Sequence, residues 1–206
     1  MFDEITRLPS YEVTRIETAL LEQIMPKIAD RVPAGAAVVE FGAGSATKTP
    51  LLLSAIAPAF YAPVDISGDY LRDSAADIQS QFPDVRVEPV VADFARPFDL
   101  PESIGTCPKL GFFPGSTIGN FVPRSGTDLL RQFRALLGTG SFLLIGMDRV
   151  KPVERMIAAY DDPEGVTAEF NLNLLHRINT ELQGDIPIDA FRHRAIWKRA
   201  NSMRRA

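Results

Sequence analysis

Val38-Val39-Glu40-Phe41-Gly42-Ala43-Gly44-Ser45-Ala46-Thr47-Lys48-Thr49 decides the fold. Two β-branched residues, an acid and an aromatic run straight into a glycine-rich turn. The turn feeds Leu51-Leu52-Leu53-Ser54-Ala55-Ile56, which reads as a helix. Glycines let the backbone pass close to a ligand, and a helix N-terminus offers unpaired N–H groups to it. Asp65 ends the next strand-like run, Tyr61-Ala62-Pro63-Val64-Asp65. An acid about twenty residues past such glycines is where an α/β nucleotide site grips a ribose.

Working outward, short apolar strands alternate with amphipathic helices. Strands are predicted at Val38–Phe41, Phe60–Ile66, Val85–Val91, Leu110–Phe113 and Ser141–Met147. Helices are predicted at Ala46–Ala57, Ser67–Phe82 with Ser67 as N-cap, and Thr127–Leu137, the last closed by Gly138 and Gly140. Upstream, Leu20, Leu21, Ile24, Met25 and Ile28 recur at helical spacing within residues 10–30, with Thr14 as a starting cap. This order implies an α/β fold with a mostly parallel sheet and helices on both faces, all strand C-terminal ends on one edge. After residue 150 the pattern breaks. Pro152–Tyr160 and Thr167–Leu182 read as helices with no strand between them, and Ala190–Trp197 reads as a sixth strand. The expected organisation is a single domain, with a core of 31–149 and 189–198 and a partial helical cap of 1–30 and 150–188.

The chain has 206 residues, 46% hydrophobic and 23% charged, enough for one well-buried α/β domain. A net charge of −4 gives no basic footprint for nucleic acid. The basic stretch from Arg192 to Arg205 reads as a solvated end. The single cysteine, Cys107, excludes an internal disulfide and a Cys-rich zinc site. His176 and His193 fall in different elements, so no metal is expected. No apolar run has the length of a membrane span, and the acidic Met1-Phe2-Asp3-Glu4 start is unlike a signal peptide. A monomer in the cytoplasm is expected, with no nucleic-acid or membrane partner.

Gly42 and Gly44 alone are a weak signal, since any strand-to-helix turn can look this way. Asp65 and Asp93, at the ends of the second and third strands, strengthen it. Together they suit a nucleoside ligand: glycines for its charged tail, Asp65 for ribose hydroxyls, Asp93 for an exocyclic amine. Phe94 suits a base face or the core. Glu40 suits an acid near a sulfonium or a structural pair. Thr47 stands where the dinucleotide fingerprint has its third glycine, and the Walker spacing is absent. That disfavours NAD and leaves S-adenosyl-L-methionine as the better cofactor. The loop Gly111-Phe112-Phe113-Pro114-Gly115-Ser116-Thr117-Ile118-Gly119-Asn120-Phe121 falls on the same edge and offers backbone N–H groups and the Asn120 amide to a polar substrate.

With Val64-Asp65-Ile66-Ser67, Ala159-Tyr160-Asp161-Asp162, Phe170-Asn171-Leu172-Asn173-Leu174-Leu175 and Phe191-Arg192-His193-Arg194-Ala195, these runs resemble the histidine-specific S-adenosylmethionine-dependent methyltransferases. The resemblance extends from about Phe2 to Trp197. It implies a class I, Rossmann-like methyltransferase fold. It implies Gly42, Gly44 and Lys48 on the cofactor, Asp65 on its ribose, and Asp93 and Phe94 at its adenine. Tyr11, Asn120 and Tyr160 would hold the amino-acid substrate. The implied reaction is methylation of the α-amine of L-histidine to hercynine in ergothioneine biosynthesis, by proximity and orientation, with no residue acting as covalent catalyst. The family is longer at both ends. The sheet-completing strand and the imidazole-recognising tail are therefore expected to be missing, as is a further tyrosine upstream. The alternative is a non-catalytic cofactor-binding remnant or partner-dependent paralogue.

Overall fold

The computed structural model describes residues 2–44 and 46–197. Ser45 and the end of the basic stretch, 198–206, lie outside the described residues. Among the described residues two units separate by packing, 15–148 and 2–14 with 149–197.

The larger unit carries the sheet. Its strands are β1 (Ala37–Phe41), β2 (Phe60–Asp65), β3 (Arg86–Val87), β4 (Val90–Val91), β5 (Lys109–Phe113) and β6 (Phe142–Ile145). The order is β3-β2-β1-β5-β6, with β4 also on β2, and every pairing is parallel. β1 is central, and all five of its residues are buried. That is why its apolar run is nearly continuous rather than alternating. The pleat still sorts side chains by face. Val38, Leu110 and Phe112 pack with Leu21, Met25, Leu52 and Ile78. Val39, Phe41 and Phe113 pack on the other face with Leu129, Phe133 and Leu137. The sheet thus has helices α2 (Val13–Ala29), α3 (Thr49–Ile56) and α4 (Gly68–Gln81) contributing to one side, and α5 (Pro123–Leu137) to the other. Leu129, Phe133 and Leu137 recur at intervals of one helical turn, so one stripe of α5 is buried. Gly111 permits the close approach: a Cβ there would lie 2.7 Å from Leu137 Cδ1.

The predicted third strand is two short ones. Pro89 has no N–H to give the ladder, so pairing with β2 lapses between Val87 and Val90. α3 starts three residues later than expected, because the turn runs on to Lys48. α5 starts earlier, at Pro123, whose fixed φ suits a first helical turn. Thr14 lies inside α2 rather than capping it. Ser67 is the N-cap of α4 but makes no side-chain cap bond; Asp65 Oδ1 accepts from its N–H instead, at 2.9 Å.

The smaller unit holds α1 (Phe2–Arg7), α6 (Val153–Ala158) and α7 (Val166–Glu181) around a small core of Ile5, Leu8, Tyr11 and Ala159. No residue pattern points to α1, a helix too short to form on propensity alone; burial of Ile5 and Leu8 favours it. Asp162 caps the start of α7. Its carboxylate accepts from the Val166 and Thr167 amides at 2.8 and 2.9 Å. Burial pushes this carboxyl up, but those bonds outweigh it and hold it below the ordinary value.

Two expectations need correction here. Residues 190–197 are not a sixth strand. A short 3-10 turn, Ile188–Ala190, leads into irregular chain. Alternation supplies a strand pattern, but a strand also needs a neighbouring edge to pair with. This segment instead bonds outside any ladder: Ala195 N–H donates to Asp161 Oδ2 at 3.2 Å, and the His193 ring is held between the Asn171 side chain and the Tyr160 carbonyl. Consequently 189–197 belong with the smaller unit, not the sheet core. The reverse holds for 15–30, assigned to the cap from sequence: Leu21 and Met25 are buried in the sheet core. No described helix is long and apolar enough to cross a membrane. The described residues hold no group of three or more His, Cys, Asp or Glu arranged for a metal.

Candidate functional site

Because the sheet is parallel, Phe41, Asp65, Val91, Phe113 and Ile145 all end on one edge. The glycine turn after β1 folds back onto the end of β2. The Gly42 and Ala43 amides both donate to the Val64 carbonyl, at 2.8 and 3.2 Å. Gly42 has φ +73, a conformation that favours glycine, and a Cβ there would also come within 3.2 Å of the Phe94 ring. Asp65 then joins the two strand ends. Its Oδ2 accepts from the Gly44 amide at 3.2 Å while its Oδ1 takes the Ser67 amide. A carboxylate has about four acceptor positions, so both oxygens retain capacity for a ligand hydroxyl. Asp93, after β4, turns its Oδ1 to the Ala95 amide at 2.9 Å and pairs with Arg96 at 3.3 Å. Phe94 lies edge-on to Phe113, with ring centroids 5.6 Å apart. It is packed against the core cluster and also lines the turn.

Glu40 sits one residue before Phe41 and is almost fully buried. Its Oε2 accepts from the Thr49 hydroxyl at 2.6 Å and the Tyr61 hydroxyl at 2.7 Å. Burial pushes its pKa from 4.5 up to about 7, against the pull of those two hydrogen bonds and of Lys48. Of the two readings open for Glu40, the structural pairing is the one its contacts support.

Lys48 ends the turn as the N-cap of α3. Its ammonium pairs with the carboxylate of Glu17, from α2. Both Glu17 oxygens also accept from the Gly115 amide, at 2.9 Å. Glu17 therefore joins α2, the turn after β1 and the loop after β5. Sequence reasoning missed it, because a single acid on a helix with charged neighbours carries no pattern. The loop after β5 turns sharply at Gly115 (φ +80) and Ser116 (φ +57), and Ser116 Oγ accepts from the Asp148 amide at 2.9 Å. Asn120 closes its 3-10 turn, Thr117–Asn120, and is exposed.

In the smaller unit, Tyr11 and Tyr160 meet edge to face with centroids 6.0 Å apart. Tyr11 is buried; Tyr160 is 47% exposed. Tyr160 lines a cavity of about 270 Å³ with Ile157, Asn171, His193 and Trp197. His193 Nε2 donates to the Tyr160 carbonyl at 2.6 Å, leaving Nδ1 to accept from the Asn171 amide at 3.2 Å. This orienting role for His193 was also not foreseen. His176 is exposed on α7.

Gly42, Gly44, Asp65, Asp93 and Phe94 are thus gathered at one sheet edge, and Tyr11 and Tyr160 meet in the other unit. Positive-φ glycines, a partly free carboxylate, a cation at a helix start and an aromatic edge form a donor and acceptor set that fits a nucleoside with an amino-acid tail. The sequence of the whole chain, residues 1–206, matches the family described as histidine-specific methyltransferase, SAM-dependent. The chain belongs to this family.

Among relatives of this chain, the histidine N-alpha-methyltransferase of Mycolicibacterium smegmatis is 39% identical over 206 residues, covering 96% of this chain and 62% of that protein. The protein of the same description from Mycobacterium tuberculosis is 38% identical over 204 residues, covering 97% and 63%. Ergothioneine biosynthesis protein 1 of Neurospora crassa is 32% identical over 187 residues, covering 87% of this chain and 21% of the fungal protein. The chain therefore spans less than two thirds of the length of each of these relatives.

Proposed function

We propose that this methyltransferase uses S-adenosylmethionine to methylate the α-amine of an amino acid, L-histidine first, giving hercynine as in ergothioneine biosynthesis. The observation that carries the reading is the Asp65 bridge. One carboxylate holds the glycine turn to the end of β2 and keeps acceptor capacity at the edge where a ribose would lie. In this reading Gly42, Gly44 and Lys48 receive the amino-acid tail of the cofactor, and Asp93 and Phe94 its adenine. Tyr11, Asn120 and Tyr160 receive the acceptor. The described names of the bacterial relatives favour histidine over other amino acids.

The cofactor supplies a methyl group on a sulfonium. Each transfer would form an N–C bond as the C–S bond breaks, so the amine would have to be neutral beforehand, and over three rounds three protons would go to solvent, one before each attack. An α-amine with a pKa near 8 is partly neutral at pH 7. Tyrosine and asparagine suit the task because they orient the amino-acid head by hydrogen bonds without adding charge. Alignment of the two reactants supplies up to roughly 7–11 kcal/mol. The partners this reading requires are small molecules, the amino acid and its methyl donor, and the cytoplasm is the proposed location.

The test is incubation of the purified chain with S-adenosylmethionine and histidine, read by mass spectrometry for mono-, di- and trimethylated product. Methylated histidine supports the reading. Calorimetric binding of S-adenosylhomocysteine with no methyl transfer to any amino acid would favour the cofactor-binding remnant. No binding by folded protein would overturn both.

A further inference from the structure

We propose that Glu17 is the counter-charge of the cofactor site, setting its preference between a cationic sulfonium and a neutral thioether. The proposal rests on the cofactor reading above. Four observations support it. Glu17 and Lys48 form an ion pair whose side chains are only 13% and 11% exposed, so solvent screens it weakly. Both carboxylate oxygens accept from the Gly115 amide, which fixes the anion in place rather than leaving it on a mobile stem. The backbone makes room for it: a Cβ on Gly146 would fall 1.8 Å from Glu17 Oε1. Finally, the pair lies where the turn after β1 and the loops after β5 and β6 converge, beside the N-terminus of α3.

Without Glu17, this corner would present Lys48, the Gly115 amide and the start of α3, all positive, to whatever binds there. That suits a carboxylate. It does not suit a sulfonium, which in S-adenosylmethionine lies a short methylene chain away from the carboxylate. Glu17 cancels the Lys48 charge, so the corner can bind the amino-acid tail without repelling the cation that carries the methyl. Once the methyl has been transferred, the thioether product is neutral there and loses its attraction to Glu17. The residue thereby favours donor over product.

At an effective dielectric of about 20, one weakly screened unit charge changes the binding of a nearby cation on the order of tenfold. Calorimetry with S-adenosylmethionine and S-adenosylhomocysteine reads this as a ratio of dissociation constants. Glu17→Gln keeps the acceptor for Gly115 and should weaken the sulfonium ligand about tenfold more than the thioether. Lys48→Met should move the ratio the other way, because any loss of contact with the shared tail cancels between the ligands. A merely structural role would weaken both ligands alike. An unchanged ratio in both variants overturns the proposal while leaving the cofactor reading intact. A wild-type chain that binds neither ligand overturns both. If Glu17→Gln does not fold, Lys48→Met alone decides, by the direction of its shift.

Discussion

Replacing Glu40 by Gln should remove a pH dependence from folding stability. Glu40 is buried in the central strand, and both its hydrogen bonds, from Thr49 and Tyr61, fall on one oxygen. Burial raises its pKa from 4.5 to about 7 in the folded state. Between those values the folded chain holds a proton that the unfolded chain has released. Stability is therefore fully present below pH 4.5 and is lost as pH rises to about 7. At 1.36 kcal/mol for each pH unit, the loss is about 3 kcal/mol. Glutamine has nearly the same shape and keeps a carbonyl oxygen for both hydroxyls, but it does not titrate. Urea unfolding of both proteins at pH 5, 6, 7 and 8 isolates the effect, since all other titrating groups cancel in the difference. The variant should gain about 3 kcal/mol on the wild type across this range. A difference that stays constant within about 1 kcal/mol would mean that burial does not raise the Glu40 pKa and that water or another donor solvates its carboxylate.

Asp65→Ala removes the acceptor for the Gly44 and Ser67 amides together with the ribose contact, so calorimetry should find S-adenosylhomocysteine binding weakened by at least tenfold, about 1.4 kcal/mol; unchanged affinity would displace the site. Gly146→Ala should expel Glu17 from its place, because the new Cβ would lie 1.8 Å from its Oε1. The expected readout is faster hydrogen exchange at the Gly115 amide, as in Glu17→Ala. Phe133→Ala opens the aromatic cluster where Phe133 stacks on Phe41 at 3.7 Å and meets Phe113 at 5.2 Å; it should cost about 3–5 kcal/mol in urea unfolding.

Some of this was legible in the order of residues alone. β1 is recognisable because a strand buried on both faces must be apolar almost throughout, and its exit is recognisable because a glycine-rich turn follows it and leads into a leucine-rich helix. The following elements alternate in a rhythm that only a parallel α/β sheet explains, and Asp65 falls at the right strand end. The inward stripe of α5 follows from Leu129, Phe133 and Leu137 recurring every helical turn. Boundaries were less legible: the reading began α5 at Thr127, although Pro123, whose fixed φ suits a first helical turn, is where it starts, and the effect of Pro89 on the β-ladder became clear only once its pairing was known.

Properties that depend on a neighbour distant in the chain emerge only when the chain is folded. Residues 190–197 have the alternation of a strand but no sheet edge to join, and hydrogen bonding to Asp161, Asn171 and Tyr160 replaces a ladder. Residues 15–30 were grouped with the cap by their position in the chain, yet Leu21 and Met25 are buried in the sheet core. Glu17 reads as one more surface acid until α2 is packed, when it meets Lys48 and Gly115, 31 and 98 residues away in sequence. Local pattern determines which segments become strands and helices, because backbone conformation and burial periodicity are properties of neighbouring residues. Ion pairs, edge pairing and the pKa of a buried carboxyl are set by groups brought together through space, and for those the folded chain alone decides.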